Sequence, residues 1–310
     1  MTDKPPPRTQ SALVTLANQY ARERSVPAGT IVKEILHYEI LYALIESGAA
    51  AGLTFQGGTC LRLCHGGTRY SEDLDFAGGP DFVASDMATF TTLLQARIAS
   101  AYGLETEFKL GGSPGEHVAM ERFSCKVLVP QTDPSLPQKQ VINIEIAGVP
   151  SHDPDLLPVQ ANYPHLPAPL RSMVLVAESK SEILADKLVA LGGRPYLKFR
   201  DLWDIKFLKD VGVQLDRALV ERKLADYGLR PVDFTDKLLE RRSQLLDGPA
   251  MAALLHKEMS RFVDGRNASL IATPALAQRY LTAGAALIDA WVPSPNLAPP
   301  SPSLGLKEAQ

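Results

Sequence analysis

FQGGTCLRLCHGGTRYSEDLDF, residues 55–76, is the stretch with the clearest structural pattern in this chain of 310 residues. It starts with a short apolar run that ends at Gly57 and Gly58, continues with leucines at helical spacing, and closes on two aspartates separated by one leucine. This order predicts a strand, a turn, a helix capped by Thr59, and a second strand. The two glycines would allow positive φ angles and let the backbone approach a bulky anion.

The two aspartates, Asp73 and Asp75, are predicted to lie on one face of the second strand. Side chains alternate between the faces of a strand, so Leu74 and Phe76 would point into the core from the other face. Two neighbouring carboxylates repel each other unless a cation lies between them, and Mg²⁺ is usually held by one or two carboxylates plus substrate phosphates. The alternative is an ordinary glycine turn followed by exposed aspartates at a strand end.

The residues around these aspartates suit the phosphates of a nucleotide. The free N–H groups at the start of the helix that Thr59 opens can bind phosphate. Arg69 and Ser71 would add a positive charge and a hydrogen-bond donor. Phosphoryl transfer depends mainly on positioning and charge neutralisation, and this stretch offers groups for both. It therefore predicts a site for a triphosphate and a metal ion.

A third carboxylate, Glu145, lies in the run VINIEI at residues 141–146. The three isoleucines of this run share one face of a strand, and Glu145 lies on the other face. A charged side chain in an otherwise apolar strand is costly unless it is paired or binds a metal. Glu145 is therefore predicted to join Asp73 and Asp75 as a metal ligand, in a set that could hold two ions. The alternative is an edge-strand glutamate that faces water.

Lys187 is predicted to lie on the core-facing side of a helix over residues 178–191, because apolar residues lie one turn before it and one turn after it. A lysine in this position must reach the surface, pair with a carboxylate or point into a cleft, where it would suit a triphosphate. Glu182 and Asp186 of the same helix are expected to face elsewhere.

The run KFRDLWDI, residues 198–205, places Asp204 four residues after Arg200 and three after Asp201 at the start of a helix, where the three can form one polar corner. Taken alone, the run favours an exposed ion pair at a helix start, which contributes only about a few tenths of a kcal/mol. Beside Lys187 and the aspartates, it favours a functional role.

The rest of the chain predicts an α+β protein, in which a mixed β-sheet flanked by helices is followed by a helical C-terminal lobe. Four regions are expected: a disordered arm over 1–8, a catalytic domain over 9–177, a helical domain over 178–292 that contributes to the active site, and a disordered tail over 293–310. Helices are predicted over 10–24, 30–48, 82–100, 178–191, 200–210, 216–227, 231–246, 249–263 and 274–291, strands over 53–55, 73–76, 105–110, 123–129, 140–147 and 173–177, and a surface connection over 150–169.

Composition excludes several classes of protein. The net charge is −3, so no overall basic field recruits nucleic acid. The three cysteines, Cys60, Cys64 and Cys125, form no repeated CxxC pattern, which argues against a disulfide framework or a zinc site. The polar start MTDKPPPRTQ does not resemble a signal peptide, and apolar runs are shorter than the roughly 18 residues that a membrane span needs. We expect a soluble, cytoplasmic protein with no membrane partner.

Two runs, GGTCLRLCHGGTRYSEDLDF and ILADKLVALGGRPYLKFRDLWDI, resemble signatures of the AbiEii/AbiGii-type nucleotidyltransferase toxins, a family that includes the MenT toxins. They occur in the order and at the separation typical of that family, and the resemblance spans residues 30–210. The family belongs to the polymerase-β-like nucleotidyltransferase superfamily. The resemblance therefore implies an enzyme with that superfamily's catalytic domain.

The resemblance also implies roles for individual residues. Asp73 and Asp75 match the family's metal-binding pair, and Glu145 matches, less closely, an acidic position on a following strand. Glu145 would then be a third metal ligand that also activates the attacking hydroxyl. Asp201 or Asp204 would orient the acceptor or Lys187. The nucleotide site would comprise Gly57, Gly58, Thr59, Arg69, Ser71, Lys187 and Arg200.

By the same resemblance, the protein would transfer a nucleoside monophosphate from an NTP to an acceptor, with Mg²⁺ or alternatively Mn²⁺. It would be a toxin controlled by a separate DNA-binding antitoxin protein. The acceptor in some family members is the 3′ end of tRNA, and we expect an RNA acceptor here. The alternatives are a nucleotidyltransferase that modifies a protein or a small molecule, and a non-catalytic nucleotide-binding module. RNA binding needs a local basic surface, for which the candidates are Arg194, Lys198, Arg200, Lys206, Arg241 and Arg242.

Overall fold

A mixed sheet of seven strands forms the centre of the N-terminal part of the protein. The computed structural model describes residues 9–110, 121–130, 132 and 140–292, so the arm and the tail predicted at 1–8 and 293–310 lie outside the described residues. The strands are β1 Thr54–Gln56, β2 Leu74–Ala77, β3 Thr106–Leu110, β4 Arg122–Val129, β5 Gln140–Ala147, β6 Pro154–Pro158 and β7 Val174–Glu178.

The strands lie in the order β3-β4-β5-β2-β1-β7-β6. The pairs β1–β7 and β2–β5 are parallel, and the other pairs are antiparallel. The short strands β1 and β2, which come from the stretch quoted first, therefore lie between β5 and β7 in the interior of the sheet. This order confirms the predicted mixed sheet.

In the part of the chain that the structure describes, twelve α-helices surround and follow the sheet, which confirms the predicted α+β class. They are α1 Gln10–Arg24, α2 Ala28–Glu46, α3 Gly57–His65, α4 Ala88–Tyr102, α5 Ala168–Arg171, α6 Lys180–Gly193, α7 Phe199–Asp210, α8 Arg217–Asp226, α9 Pro231–Leu245, α10 Pro249–Met259, α11 Gly265–Ile271 and α12 Pro274–Trp291. Helix α6 contacts α3 and β7 on one side and α7, α8 and α9 on the other. It therefore joins the sheet to the C-terminal helices.

Alternation along the strands separates a buried face of the sheet from a more open one. Leu74 and Phe76 are buried, as predicted, while Asp75 between them lies on the opposite face. In β5 the isoleucines are buried and Glu145 is exposed. In β4 the buried residues alternate with Arg122, Ser124 and Lys126 in the same way. The polar residues of β2, β4 and β5 consequently share the open face.

Three predictions about local structure are wrong. Helix α3 begins at Gly57, so Thr59 lies inside its first turn and does not cap it; the Thr59 hydroxyl donates to the backbone carbonyl of Asp73. The connection predicted over 150–169 contains β6, an edge strand that starts and ends with proline, which normally argues against a strand. Helix α11, only seven residues long, was not predicted. None of the helices in the described ranges could cross a membrane, given their length and hydropathy.

Candidate active site

Gly57 and Asp75 meet at the turn between β1 and α3. Gln56 pairs with Asp75 across the antiparallel β1–β2 ladder, and the next residue, Gly57, has a φ of +78°. A Cβ atom on Gly57 would lie 2.8 Å from Oδ2 of Asp75. Glycine is therefore needed here for two reasons: it allows the left-handed backbone and it leaves room for the carboxylate. The predicted positive φ is confirmed at Gly57.

The first turn of α3 is equally crowded on its other side. A Cβ atom on Gly58 would collide with Nη2 of Arg69 and would lie 3.0 Å from Oγ of Ser71. Arg69, Ser71 and Thr59 are all buried, with relative exposures of 4%, 8% and 1%. These three residues therefore pack around the helix N-terminus from behind. Gly57 and Gly58 line the neighbouring cavity, whereas Thr59, Arg69 and Ser71 do not.

Two carboxylates lie side by side on the wall of this cavity. Asp75 of β2 pairs directly with Glu145 of β5 in the parallel ladder, and Glu145 pairs with Ser124 of β4. Burial, together with the nearby charges of Asp73 and Glu145, raises the pKa of Asp75 to about 6, although Lys187 and Arg194 act in the opposite direction. A site that concentrates negative charge in this way suits a hard divalent cation, as predicted from the spacing of the residues.

Asp73 takes a different position from the other two carboxylates. It immediately precedes β2, and its Oδ1 accepts hydrogen bonds from Nδ2 of Asn143 at 2.8 Å and from the Asn143 amide at 3.3 Å. Asp73 does not line the cavity, although its charge acts on Asp75. Within the described ranges, no three acidic, histidine or cysteine side chains are grouped closely enough to hold a metal ion. The predicted trio is therefore not a preassembled ligand set; Asp75 and Glu145 form its cavity-facing part.

Lys187 connects the cavity with a buried ion network. Its Nζ lies 2.8 Å from Oδ1 of Asp201 and 2.8 Å from Oδ2 of Asp204. Burial alone would lower the pKa of Lys187, but the two carboxylates raise it above its usual value. Arg194 contacts the other oxygen of Asp201 at 2.6 Å, and 39% of its side chain stays exposed. Lys187 and Arg194 both line the cavity. Of the three possibilities predicted for Lys187, the structure shows pairing with carboxylates, beside a cavity that the residue also lines.

The remaining predicted residues lie behind or beside the cavity. Asp201 and Asp204 are buried, contact cations and do not line the cavity. Their location suits residues that position Lys187, and not residues that contact a substrate in the cavity. Asp204 accepts two hydrogen bonds from Arg69, each 2.7 Å long. Arg69 thus donates its hydrogen bonds to protein groups and does not line the cavity. Arg200 also lies outside the cavity wall, with its guanidinium 4.7 Å from the ring centre of Phe262.

The cavity has a volume of about 790 Å³ and lies between the open face of the sheet and helix α6. Three lining residues that were not predicted are Arg122 of β4, Asp186 of α6 and Tyr227 after α8. Arg122 shares the strand face of Glu145, so alternation along β4 could have suggested it. The positions of Asp186 and Tyr227 depend on how α8 packs against α6, for which the sequence offers no local signal.

A second ion cluster borders the cavity. The ammonium group of Lys223 lies 2.8 Å from Glu178, 2.7 Å from Glu182 and 3.2 Å from Asp186. The expectation that Glu182 and Asp186 face elsewhere than Lys187 is confirmed for Glu182, which is fully buried in this cluster, and is wrong for Asp186, which lines the same cavity as Lys187. The cause is Lys223, which draws three carboxylates of β7 and α6 towards α8.

Several residues predicted to form a basic surface are partly neutralised. Lys206 pairs with Asp210, and Arg242 pairs with Asp289 at 2.5 Å. Arg241 donates to the backbone carbonyls of Leu191 and Arg194. Among these candidates, Arg194 is the residue that reaches the cavity.

Comparison with known proteins supports a nucleotidyltransferase site. The family model "Nucleotidyl transferase AbiEii toxin, Type IV TA system" matches residues 39–281, which is most of the chain. The structure is similar to MenT4, a nucleotidyltransferase toxin from Mycobacterium tuberculosis H37Rv, at 20% identity over 89% of each chain, with a TM-score of 0.58. Two structures from Helicobacter pylori are each 15% identical to this chain, and each match covers 84% of it. The match to a putative nucleotidyltransferase covers 96% of that protein, with a TM-score of 0.43. The match to JHP933 covers 94% of that protein, with a TM-score of 0.40. No curated protein sequence matches the chain.

Proposed function

Because the chain belongs to the AbiEii family of nucleotidyltransferase toxins from type IV toxin–antitoxin systems, we propose that it transfers a nucleoside monophosphate from an NTP to the 3′ end of an RNA. The proposed acceptor is tRNA, the reaction depends on Mg²⁺, with Mn²⁺ as an alternative, and it takes place in the cytoplasm. The observation that carries this proposal is the meeting of Gly57, Asp75 and Lys187 at one cavity.

The triphosphate would lie between α3 and α6. Free N–H groups in the first turn of α3 offer hydrogen bonds to phosphate oxygens, and the helix dipole adds to their attraction. Lys187 and Arg194 face this turn across the cavity and supply positive charge. Asp201 and Asp204 hold Lys187 in place from behind. These contacts would orient the α-phosphate towards Asp75 and Glu145.

The two cavity-facing carboxylates, with Asp73 behind them, have the hard oxygen donors that Mg²⁺ prefers. A bound Mg²⁺ supplies charge neutralisation on the phosphates and a lower pKa for the attacking hydroxyl. Asp75 is the proposed principal ligand because it lies beside the α3 turn. Glu145, which is exposed, is the proposed acceptor of the hydroxyl proton.

The chemical step balances without any further reactant. The 3′-hydroxyl oxygen of the RNA attacks the α-phosphorus and forms a phosphodiester bond. The bond between the α-phosphorus and the bridging oxygen breaks, pyrophosphate leaves, and the hydroxyl proton passes to Glu145. The alternative, a non-catalytic nucleotide-binding module, does not explain why two carboxylates lie beside a helix N-terminus that can bind phosphate. Experiment must distinguish an RNA acceptor from a protein or small-molecule acceptor.

The test is to incubate the protein with each α-labelled NTP, Mg²⁺ and total RNA, and to separate labelled RNA from labelled protein. We expect label at the 3′ end of tRNA with the wild-type protein and none with Asp75→Asn. The control is Asp155→Asn, because Asp155 lies exposed on the edge strand β6, remote from the cavity lining. Label on protein would contradict the RNA acceptor. Full activity of Asp75→Asn would contradict the assignment of the site.

The family also implies a cognate antitoxin. We propose that it is a separate DNA-binding protein encoded beside the toxin. Co-expression with the adjacent reading frame should relieve growth arrest caused by the wild-type toxin, and the Asp75→Asn variant should cause no arrest without it. Arrest that persists with both flanking frames present would contradict this pairing.

A further inference from the structure

The loop between α6 and α7, residues 194–198, leads away from the cavity and carries side chains that the nucleotide site does not use. Arg194, Tyr196 and Lys198 alternate along it. Arg194 lines the cavity, whereas Tyr196 and Lys198 lie outside its wall. Two residues of chain span at most about 7 Å. Tyr196 therefore lies just beyond the edge of the cavity.

Tyr196 differs from every other aromatic residue in the described ranges. It is the one exposed side chain among their tyrosines, phenylalanines and tryptophans, with an exposure of 58%. Packing an aromatic ring usually contributes strongly to stability, and this ring forgoes most of that contribution. Single exposed apolar residues are common on protein surfaces, so the role of this ring depends on its neighbours.

The chain on both sides of Tyr196 is fixed by the fold. Arg241 of α9 donates hydrogen bonds to the backbone carbonyls of Leu191 and Arg194, at 3.3 and 3.2 Å. On the other side, Phe199 is buried in the first turn of α7. The ring is thus presented to solvent by an anchored segment. A partner that contacts it loses little binding free energy to ordering of the loop.

The charge beside Tyr196 is positive. The loop contains two cations and no acidic residue. The ammonium of Lys198 lies over the Tyr196 ring, 5.9 Å from its centre. Lys198 also occupies the N-cap position of α7, where serine, threonine, aspartate or asparagine is preferred. A cation at this end of a helix faces the positive end of the helix dipole, so a bound anion would relieve the repulsion.

We propose that this loop binds the unpaired 3′ end of the acceptor RNA, with one base stacked on Tyr196 and a phosphate beside Lys198. The inference rests on the proposed nucleotidyltransferase function. Proteins that hold single strands combine cations along the backbone with aromatic rings on which bases stack. An NTP inside the cavity does not contact Tyr196, which lies outside the cavity wall. A chain whose terminal hydroxyl reaches Glu145 must cross the edge of the cavity.

Stacking on Tyr196 requires a base without a pairing partner. Bases within an RNA duplex are covered by their neighbours, whereas unpaired ends can be splayed out and stacked on aromatic side chains. An RNA with an unpaired 3′ end should therefore be a better acceptor than the same RNA with a blunt duplex end. Every base has an aromatic face, so the loop sets the required shape of the end and not its sequence.

The test uses the full chain and a matched pair of RNA hairpins, one with a few unpaired nucleotides at the 3′ end and one blunt. Tyr196→Ala should raise the Kd for the overhanging hairpin by roughly 5- to 150-fold, the range of one base–aromatic stack. Tyr196→Phe keeps the ring and should bind like the wild-type protein. NTP-dependent thermal stabilisation should be unchanged in both variants, because Tyr196 lies outside the cavity wall.

Salt dependence tests the contact between Lys198 and phosphate. Loss of one phosphate contact to a single strand lowers the slope of log K against log salt by about 0.7. Lys198→Ala should show this change with the overhanging hairpin. The control is Lys209→Ala, which removes an exposed lysine near the other end of α7. Equal changes in both variants would mean general attraction to a basic surface and would contradict the contact.

The outcomes separate this inference from the proposed function. Equal binding and labelling of the overhanging and blunt hairpins by the wild-type protein overturns the inference and leaves the function standing. Unchanged RNA affinity in Tyr196→Ala has the same meaning. RNA binding that depends on Tyr196, without nucleotide transfer to any acceptor, supports the surface and contradicts the function. Label on protein, with no binding of either hairpin, overturns both the loop's role and the RNA acceptor.

Discussion

Asp204 holds Arg69 through two parallel hydrogen bonds of 2.7 Å, which join residues 135 positions apart in the chain. Asp204 also contacts Lys187 at 2.8 Å, so one buried carboxylate fixes two cations that border the α3 turn. Removing one partner of a buried pair leaves the other charges uncompensated, which usually costs about 3–5 kcal/mol.

Asp204→Ala should therefore lower the free energy of unfolding by about 3–5 kcal/mol in denaturant titrations. The matched control is Asp210→Ala on the same helix, since Asp210 is exposed and pairs only with Lys206 one turn earlier. That change should cost less than about 0.5 kcal/mol. Similar losses for both variants would contradict a special role for the buried pair.

Gly57→Ala should abolish nucleotide transfer. The substitution forces a non-glycine residue to a φ of +78° and places Cβ 2.8 Å from the Asp75 carboxylate, which must move. Gly79→Ala is a close control, because Gly79 has the same φ of +78° but open space around its Cβ position. It should lose about 1 kcal/mol of stability and keep its activity. Full activity of Gly57→Ala would show that the close approach to Asp75 is not needed.

Glu145→Gln should lower kcat by about 10²-fold or more without changing the melting temperature, because it removes the proposed base and Glu145 is exposed. Glu107→Gln changes another exposed glutamate of the same sheet and should leave kcat unchanged. An equal fall in both variants, or unchanged kcat in Glu145→Gln, would argue against this role.

Asp201 should contribute to stability in a pH-dependent way. Burial opposes ionisation of Asp201, but Lys187 and Arg194 outweigh it and lower its pKa to about 2. A lowered carboxyl pKa adds stability that is complete above the unfolded-state pKa of about 3.9 and is lost as the pH falls towards 2. The unfolding free energy of the wild-type protein should thus fall about 2 kcal/mol more than that of Asp201→Asn between pH 5 and 2. Parallel curves for the two proteins would contradict this contribution.

Mg²⁺ should stabilise the wild-type protein through the same site that catalyses transfer. A ligand that binds only the folded state raises the melting temperature, and the rise grows with the logarithm of the free ligand concentration once that exceeds the Kd. EDTA should abolish transfer, added Mg²⁺ should restore it, and Asp75→Asn should lose the Mg²⁺-dependent rise in melting temperature in the presence of NTP. A rise of the same size in Asp75→Asn would place the metal elsewhere.

Local patterns in the sequence predicted the parts of the site that depend on periodicity. Alternation placed Asp75 opposite Leu74 and Phe76, and helical spacing placed Lys187 on the core-facing side of its helix, where it is buried. They did not predict what each polar group contacts across the fold. Arg69 looked like a phosphate ligand because it precedes the aspartates, yet α7 brings Asp204 to it. Its role could be read only from tertiary packing.

Asp186 shows a second limit of local patterns. Neighbouring residues on a helix point about 100° apart, so Asp186 was expected to face away from Lys187. The cavity is wide enough to include both, and Lys223 of α8 holds Asp186 at its wall. Edge strand β6 was missed for a different reason, because its terminal prolines are more typical of loops.

The place of β7 in the sheet has a consequence for how the toxin is made. Strand β1 lies between β2 and β7, and Phe55 pairs with Ala177, which the ribosome adds 122 residues later. Until then the strand that leads into Gly57 has a neighbour on one side only. A nascent toxin therefore cannot complete its catalytic sheet before residue 178 has left the exit tunnel. The order of synthesis thus delays completion of the sheet until more than half of the 310 residues have been made.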